Sequence, residues 1–329
     1  MKILLWSVCG MAAAAAGVAG AQQGSLSGPL AGFVFDHSAQ VLRPVQGVPG
    51  ASLLGDGVNF GLPVSAVYVA PRQDSAVVVG VDQSLHLFLL NGGTPTEVSL
   101  GGISGVPDRV VFSPSGTAAA LVSPGSARVF TGLPGSPTLS GSIRVEGAVL
   151  QVTTGAHGAL SVAPAMALSD DGTYLLTVAE GSVRLLSVNG QDRKLMPVAA
   201  SALVTFAAGN HDAAVMDPVS GLSLIRDAAG NAGSQVLATP DDGLASPVGV
   251  AFTQDEKTIY VASAKAQSVA AFDIAAAGRT AIGCSCTPAT LVPMGNVFRL
   301  TELTTGPVWL LDGTAATPRT VFVPARTNN

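Results

Sequence analysis

The chain has 329 residues, of which 48% are hydrophobic, 11% charged and 5% aromatic, with 39 Gly and 21 Pro. Ordinary globular chains carry roughly 25% charged residues, so this share excludes a coiled coil, a solvated helical array and a charge-rich disordered protein. A formal net charge of −5 removes the electrostatic basis for nucleic-acid binding.

The first element is an address. Lys2 precedes an apolar run from Ile3 to Val18, followed by Ala19-Gly20-Ala21. A positive start, an apolar middle and a small-x-small site predict a secretory signal peptide over 1–21, with cleavage after Ala21. The expectation is a secreted or periplasmic protein with a flexible mature N-terminus over 22–30. Cys9 lies inside the apolar run, so it is not read as a lipidated cysteine. The competing reading is an uncleaved anchor, since 3–21 nearly reaches the length of a span. No later membrane span is predicted. The uncharged stretch Gly147–Ser169 is interrupted by Gln151, His157, Pro164 and three glycines.

Next come Phe33–Asp36, read as a third strand without obvious inner partners, and Val41–Val45. Val48–Pro63 is read as a long loop containing Gly55-Asp56-Gly57 and Asn59. From there a layout repeats: an apolar strand, a polar turn, a second short strand, another turn, a third strand, then a more polar fourth segment. Its copies begin at Ala66–Val69, Arg109–Phe112, Ala165–Leu168, Ala202–Phe206 and Val248–Phe252, with a weaker one at Leu291–Met294. The fourth segments include Thr96–Leu100, Leu195–Val198, Gln235–Ala238, Thr280–Gly283 and Thr320–Val323. Spacings of about 40–50 residues are those of four-stranded propeller blades. Glu146–Val162 is read as an insertion. β-branched and small apolar residues with Gly/Pro punctuation suit short strands.

The expected fold is therefore an all-β propeller of four-stranded blades over 31–325, with a tail at 326–329. Seven blades are predicted, with six as the alternative. The N- and C-terminal strands are expected to close the ring by sharing a blade, which would cover open edges.

Pro247-x-Gly249-Val250-Ala251, a polar turn, Ile259-Tyr260-Val261-Ala262 and Ser268-Val269 leading to Asp273 resemble the YVTN-type propeller repeat. The turns Ser113-Pro114-Ser115-Gly116 and Ser169-Asp170-Asp171-Gly172 resemble those of that superfamily and of WD-repeat propellers. The sequence departs from the pattern at Glu256-Lys257, where a turn glycine is expected. Such a resemblance speaks for fold and little for function.

Candidate chemistry is sparse. His37, His86, His157 and His211 show no metal-ligand spacing, so no metal and no cofactor are expected. Asn210-His211-Asp212 is the most polar cluster and reads as a strand-connecting turn. Asp36-His37, Asp170-Asp171-Gly172 and Asp241-Asp242-Gly243 read the same way, because the Asp pairs lack the ligand series of a calcium loop. G-x-S-x-G, H-E-x-x-H and phosphate-loop motifs are absent. Cys284 and Cys286, the cysteines left after leader removal, are a disulfide candidate if the chain is exported. Trp309 reads as a packing residue. The leading functional expectation is a non-enzymatic propeller that binds a protein, peptide or glycan through its loops. Asp56, Asn59, His157, Asn210, His211 and Asp212 mark the candidate surface. The alternative is a lactonase-like hydrolase with its site at the channel mouth, since some proteins with this repeat resemble lactonases.

Overall fold

A computed structural model describes residues 28–90, 94–101, 105–145, 166–276 and 278–325. The expected leader, the whole of Glu146–Val162 with His157, and the tail 326–329 lie outside the described residues. Among the described residues, seven antiparallel sheets follow one another along the chain. Blade 1 holds β1 (Leu30–Asp36), β2 (Val41–Val48) and β3 (Ala51–Leu54). Blade 2 holds β4 (Val64–Val69), β5 (Ser75–Gly80), β6 (Leu85–Leu89) and β7 (Thr96–Val98). Blade 3 holds β8 (Arg109–Phe112), β9 (Ala118–Ser123), β10 (Gly125–Thr131) and β11 (Thr138–Val145). Blade 4 holds β12 (Met166–Leu168), β13 (Tyr174–Ala179), β14 (Ser182–Ser187) and β15 (Asp192–Pro197). Blade 5 holds β16 (Leu203–Phe206), β17 (Ala213–Asp217), β18 (Gly221–Arg226) and β19 (Gly233–Ala238). Blade 6 holds β20 (Pro247–Phe252), β21 (Thr258–Ser263), β22 (Ser268–Asp273) and β23 (Arg279–Gly283). Blade 7 holds β24 (Val292–Met294), β25 (Val297–Arg299), β26 (Val308–Asp312) and β27 (Arg319–Val323). A single 3-10 turn spans Pro240–Asp242. The molecule is a seven-bladed all-β propeller.

Burial follows strand position. The second strands are buried almost throughout, as in β5 and β17. The fourth strands are largely exposed, as in β19 and β23. First strands of neighbouring blades pack on one another, for example β12 on β16 and β16 on β20, so they form the inner wall. Each seam between blades is one apolar cluster; that between blades 4 and 5 includes Leu176, Val178, Val204, Phe206, Val215 and Ile225. A fully buried Leu or Val contributes about 1.5–3 kcal/mol, so seven such seams make a ring from sheets too small to stand alone.

Strands alternate in direction, so the first and third turns of a complete blade lie at one end, here the turn end. The second turns and the blade-to-blade links lie at the other, the link end. The first turns of four blades share one hydrogen bond, from the fourth residue's N–H to the first residue's carbonyl: Gln73 to Ala70, Gly116 to Ser113, Gly172 to Ser169 and Glu256 to Thr253. All four donors adopt positive φ. Glycine takes this conformation freely, whereas other residues pay about 1–2 kcal/mol. The two exceptions use their side chains. Gln73 Oε1 accepts from Phe33 N at 2.8 Å, and Glu256 Oε2 accepts from Asn210 Nδ2 at 2.5 Å.

Blade 1 corrects two expectations. Gln73 sits at the turn end of blade 2, so its bond to Phe33 places the start of β1 at that end. First strands of the other blades start at the link end. Thus β1, β2 and β3 occupy second, third and fourth positions, and among the described residues blade 1 has no innermost strand. Phe33–Asp36 is one position further in than expected. The reason is β3, hidden in the stretch read as a loop from Val48 to Pro63; its alternation is real, with Ser52 and Leu54 buried.

The ring closes where the N- and C-terminal strands meet, but they keep separate ladders rather than sharing a blade. Val34, Val45 and Leu54 pack on Met294, Val297, Leu310 and Val323. At the turn end Gly295 N bonds Pro71 O at 2.7 Å, joining blades 7 and 2 directly. Gly32 permits this approach. A Cβ there would lie 2.3 Å from Met294 Cε, and its φ is +142°.

The turn between β1 and β2 is fixed by Asp36. Its Oδ1 accepts from Ser38 N, Ser38 Oγ and Ala39 N, and its Oδ2 accepts from Arg43 Nε at 2.8 Å. Burial alone would raise the carboxyl pKa, but the bonds from Ser38, Arg43 and Ala39 and the Arg43 charge outweigh it and bring it down to about 2. A depressed folded-state pKa stabilises above the unfolded value near 4, and that contribution is lost as pH falls towards 2. Discounted for solvent screening, it is about 1–2 kcal/mol. In urea titrations Asp36→Asn should cost this at pH 6 and almost nothing at pH 2. An equal loss at both would refute the assignment.

Cys284 and Cys286 are bonded to each other, their Cα atoms 5.0 Å apart, in the link after β23. Thiol titration of unfolded, unreduced protein should find neither; two reactive thiols would show that the bond does not form. Trp309 on β26 is partly buried and lies 5.5 Å from the Phe322 ring, as a packing residue.

Candidate functional site

The turn ends of blades 4 and 5 enclose a cleft of about 340 Å³ lined by Asp170, Asp171, Gly209, Asn210, His211, Asp212 and Asp227. It arises from three neighbouring turns. The β12–β13 turn supplies Asp170 and Asp171, the β16–β17 turn supplies residues 209 to 212, and the β18–β19 turn supplies Asp227. Short polar residues favour such turns because their side chains bond nearby backbone groups. Here Asp212 N donates to Asn210 Oδ1 at 2.7 Å, and Thr173 N donates to Asp171 Oδ1 at 3.0 Å.

Asp170 ties three blades together. Its Oδ1 accepts from Ser115 N at 2.8 Å and Ser115 Oγ at 2.6 Å, and its Oδ2 accepts from Gly209 N at 2.7 Å. Asp212 holds the base of the cleft, accepting from Asp227 N at 2.9 Å and pairing with Arg226. Asp227 accepts from Gly230 N and Asn231 N.

His211 stands at the centre. Its Nε2 is 3.2 Å from Asp171 Oδ2, and its ring meets Tyr174 edge-on at 5.1 Å with Phe206 behind it at 6.5 Å. Burial would raise the Asp171 pKa, but bonds from Ser169 Oγ and Thr173, together with the facing His211, hold it below the usual carboxylate value. The cleft is thus a rigid, predominantly anionic concavity whose carboxylates already serve as acceptors. Among the described residues no group of three His, Cys, Asp or Glu side chains is arranged to hold a metal ion. No helix there is long and apolar enough to cross a membrane.

Asn210, His211 and Asp212 therefore share one cleft. Asp56 and Asn59 do not join them; they lie in the link from β3 to β4, at the opposite end, where Asn59 Oδ1 accepts from Gly61 N at 2.9 Å. Asp170 and Asp171 read only as turn formers, and nothing in the sequence singles out Asp227. Their convergence with His211 depends on blade-to-blade contacts between residues 39 and 55 positions apart.

No protein-family model and no curated protein sequence matches the chain. Solved structures do resemble it. A functionally unknown protein from Desulfotomaculum acetoxidans DSM 771 superposes with a TM-score of 0.55 at 13% identity, over 90% of this chain and 100% of that one. A "putative 6-phosphogluconolactonase" from Bacteroides fragilis NCTC 9343 gives 0.55 at 15% identity, over 90% and 94%. Apo AztD from Citrobacter koseri gives 0.51 at 13% identity, over 90% and 96%. At these identities the likeness is one of fold.

Proposed function

We propose that this chain is an exported, non-catalytic propeller that binds a peptide segment bearing a basic side chain in the cleft between blades 4 and 5. The observation carrying this reading is the division of labour among the cleft carboxylates. Asp170, Asp212 and Asp227 accept hydrogen bonds that fix the turns, while Asp171 faces His211. A catalytic pair needs a base within reach of a nucleophile and free to move a proton. Here His211 Nε2 faces Asp171 Oδ2 at 3.2 Å, and the residues lining the cleft include no serine, threonine or cysteine for it to activate. A carboxylate can still accept further hydrogen bonds at its remaining lone pairs, and four in one concavity favour a guanidinium or ammonium group. Export rests on the Lys2–Ala21 segment.

The test is calorimetric titration with short Arg- and Lys-containing peptides alongside Glu-containing controls. Binding should favour the basic peptides, weaken with salt and fall about fivefold or more in Asp171→Asn. Equal binding of basic and acidic peptides, or none, would remove the reading. The competing reading is a lactonase-like hydrolase at the channel mouth. Turnover of a lactone and ester panel by the purified chain would favour it. Export is tested separately by sequencing the N-terminus of secreted material; a start at Gln22 is expected, and a start at Met1 would refute cleavage.

A further inference from the structure

Among the described residues the inner wall carries a charge that no ion pair balances. In blades 2–7 the innermost strands are β4, β8, β12, β16, β20 and β24, and Arg109 is their one charged residue. It opens β8, at the link end of the channel. Its Nη1 is buried and has no hydrogen-bond partner, and it belongs to no ion pair among the described residues. Burial lowers its pKa to about 10, and Tyr68 on β4 of the preceding blade is the one ionisable group that offsets this. The adjacent carboxylate is otherwise placed: Asp108 is exposed and acts on Tyr68.

A guanidinium withdrawn from water is costly unless a counter-charge reaches it. A water molecule could fill the empty hydrogen-bond position but would not neutralise the charge. We propose that the inner wall of the channel at Arg109 binds a small molecule through an anionic oxygen group, a carboxylate or a phosphate. Arg109 is the main contact and the Tyr68 hydroxyl the second donor. The planar guanidinium fork matches either group, and the uncharged inner wall supplies no competing anion. This site lies on the inner wall and shares no residue with the acidic cleft between blades 4 and 5.

The experiment uses the intact chain, titrated with inorganic phosphate and with acetate against chloride at matched ionic strength, following heat of binding and thermal unfolding. Saturable stabilisation by phosphate alone assigns a phosphate group, and by acetate alone a carboxylate. Stabilisation by both assigns an unselective oxyanion site. Arg109→Gln should weaken binding about tenfold or more and Tyr68→Phe a few-fold, while Asp171→Asn leaves it unchanged. Should Arg109→Gln fail to fold, tyrosine absorbance decides. A bound anion screens Arg109 and moves the Tyr68 ionisation to higher pH, a shift absent in Tyr68→Phe. No difference from chloride, or undiminished binding in Arg109→Gln, would overturn the site.

Discussion

Phe206→Ala should destabilise the protein by about 3–5 kcal/mol, measured as a lowered urea midpoint with an unchanged slope. The ring is 1% exposed and ends the inner strand β16, within the seam between blades 4 and 5. It also backs the His211 imidazole. Truncation removes its transfer free energy and opens a cavity that neighbours on two separate sheets cannot both close. Phe206→Leu retains most of the volume and should cost about 1 kcal/mol. A loss under about 1.5 kcal/mol for the alanine variant would mean that the blades slide together, so that the seam is soft rather than jigsaw-packed.

The same seam explains what was legible in the sequence. First strands end at Val69, Phe112, Leu168, Phe206 and Phe252 as read, because each apolar run soon meets a turn marked by Pro, Gly or polar residues. The six complete blades were legible for the same reason, since each carries that signature; seven was the predicted total, with six as the alternative. β3 was not legible: Gly47, Pro49 and Gly50 precede it, and its four residues expose Ala51 and Leu53. That blade 1 lacks inner partners was legible, but the position of Phe33–Asp36 as its second strand was not. It follows from one long-range bond, Phe33 to Gln73. The glutamine at that turn looks like a departure from a glycine pattern; in three dimensions its side chain caps an edge that a strand would otherwise cover.

The candidate site divides in the same way. Asn210, His211 and Asp212 stood out as a polar turn, but their aspartate neighbours come from a turn 40 residues earlier, as the His211–Asp171 pair shows. Arg109 was hidden in the strand-like run Arg109–Phe112. An arginine at a strand start reads as exposed until the packing around it is known. Local patterning marks where strands stop, whereas the positions that gather polar groups are set by the order of blades around the ring.

The sharpest test of that order is Asp170→Asn, expected to cost about 2–3 kcal/mol although it removes no carbon atom. The carboxylate offers acceptors to three donors on two other blades: Ser115 N and Oγ on one oxygen, Gly209 N on the other. An amide keeps one of these oxygens and replaces the other with an NH₂ donor. Whichever way it is flipped, a donor then faces a backbone N–H, so one bond becomes a repulsion. Asp170→Ala loses all three bonds but creates no donor clash, so its cost should be close to that of Asn rather than far greater. Both variants should leave the blade 6–7 seam intact, and hydrogen exchange should speed up at Ser115 and Gly209 while Tyr260 and Leu311 stay protected. If Asp170→Asn were neutral, the three blades would be held by their apolar seams alone, and the floor of the acidic cleft would have no rigid support.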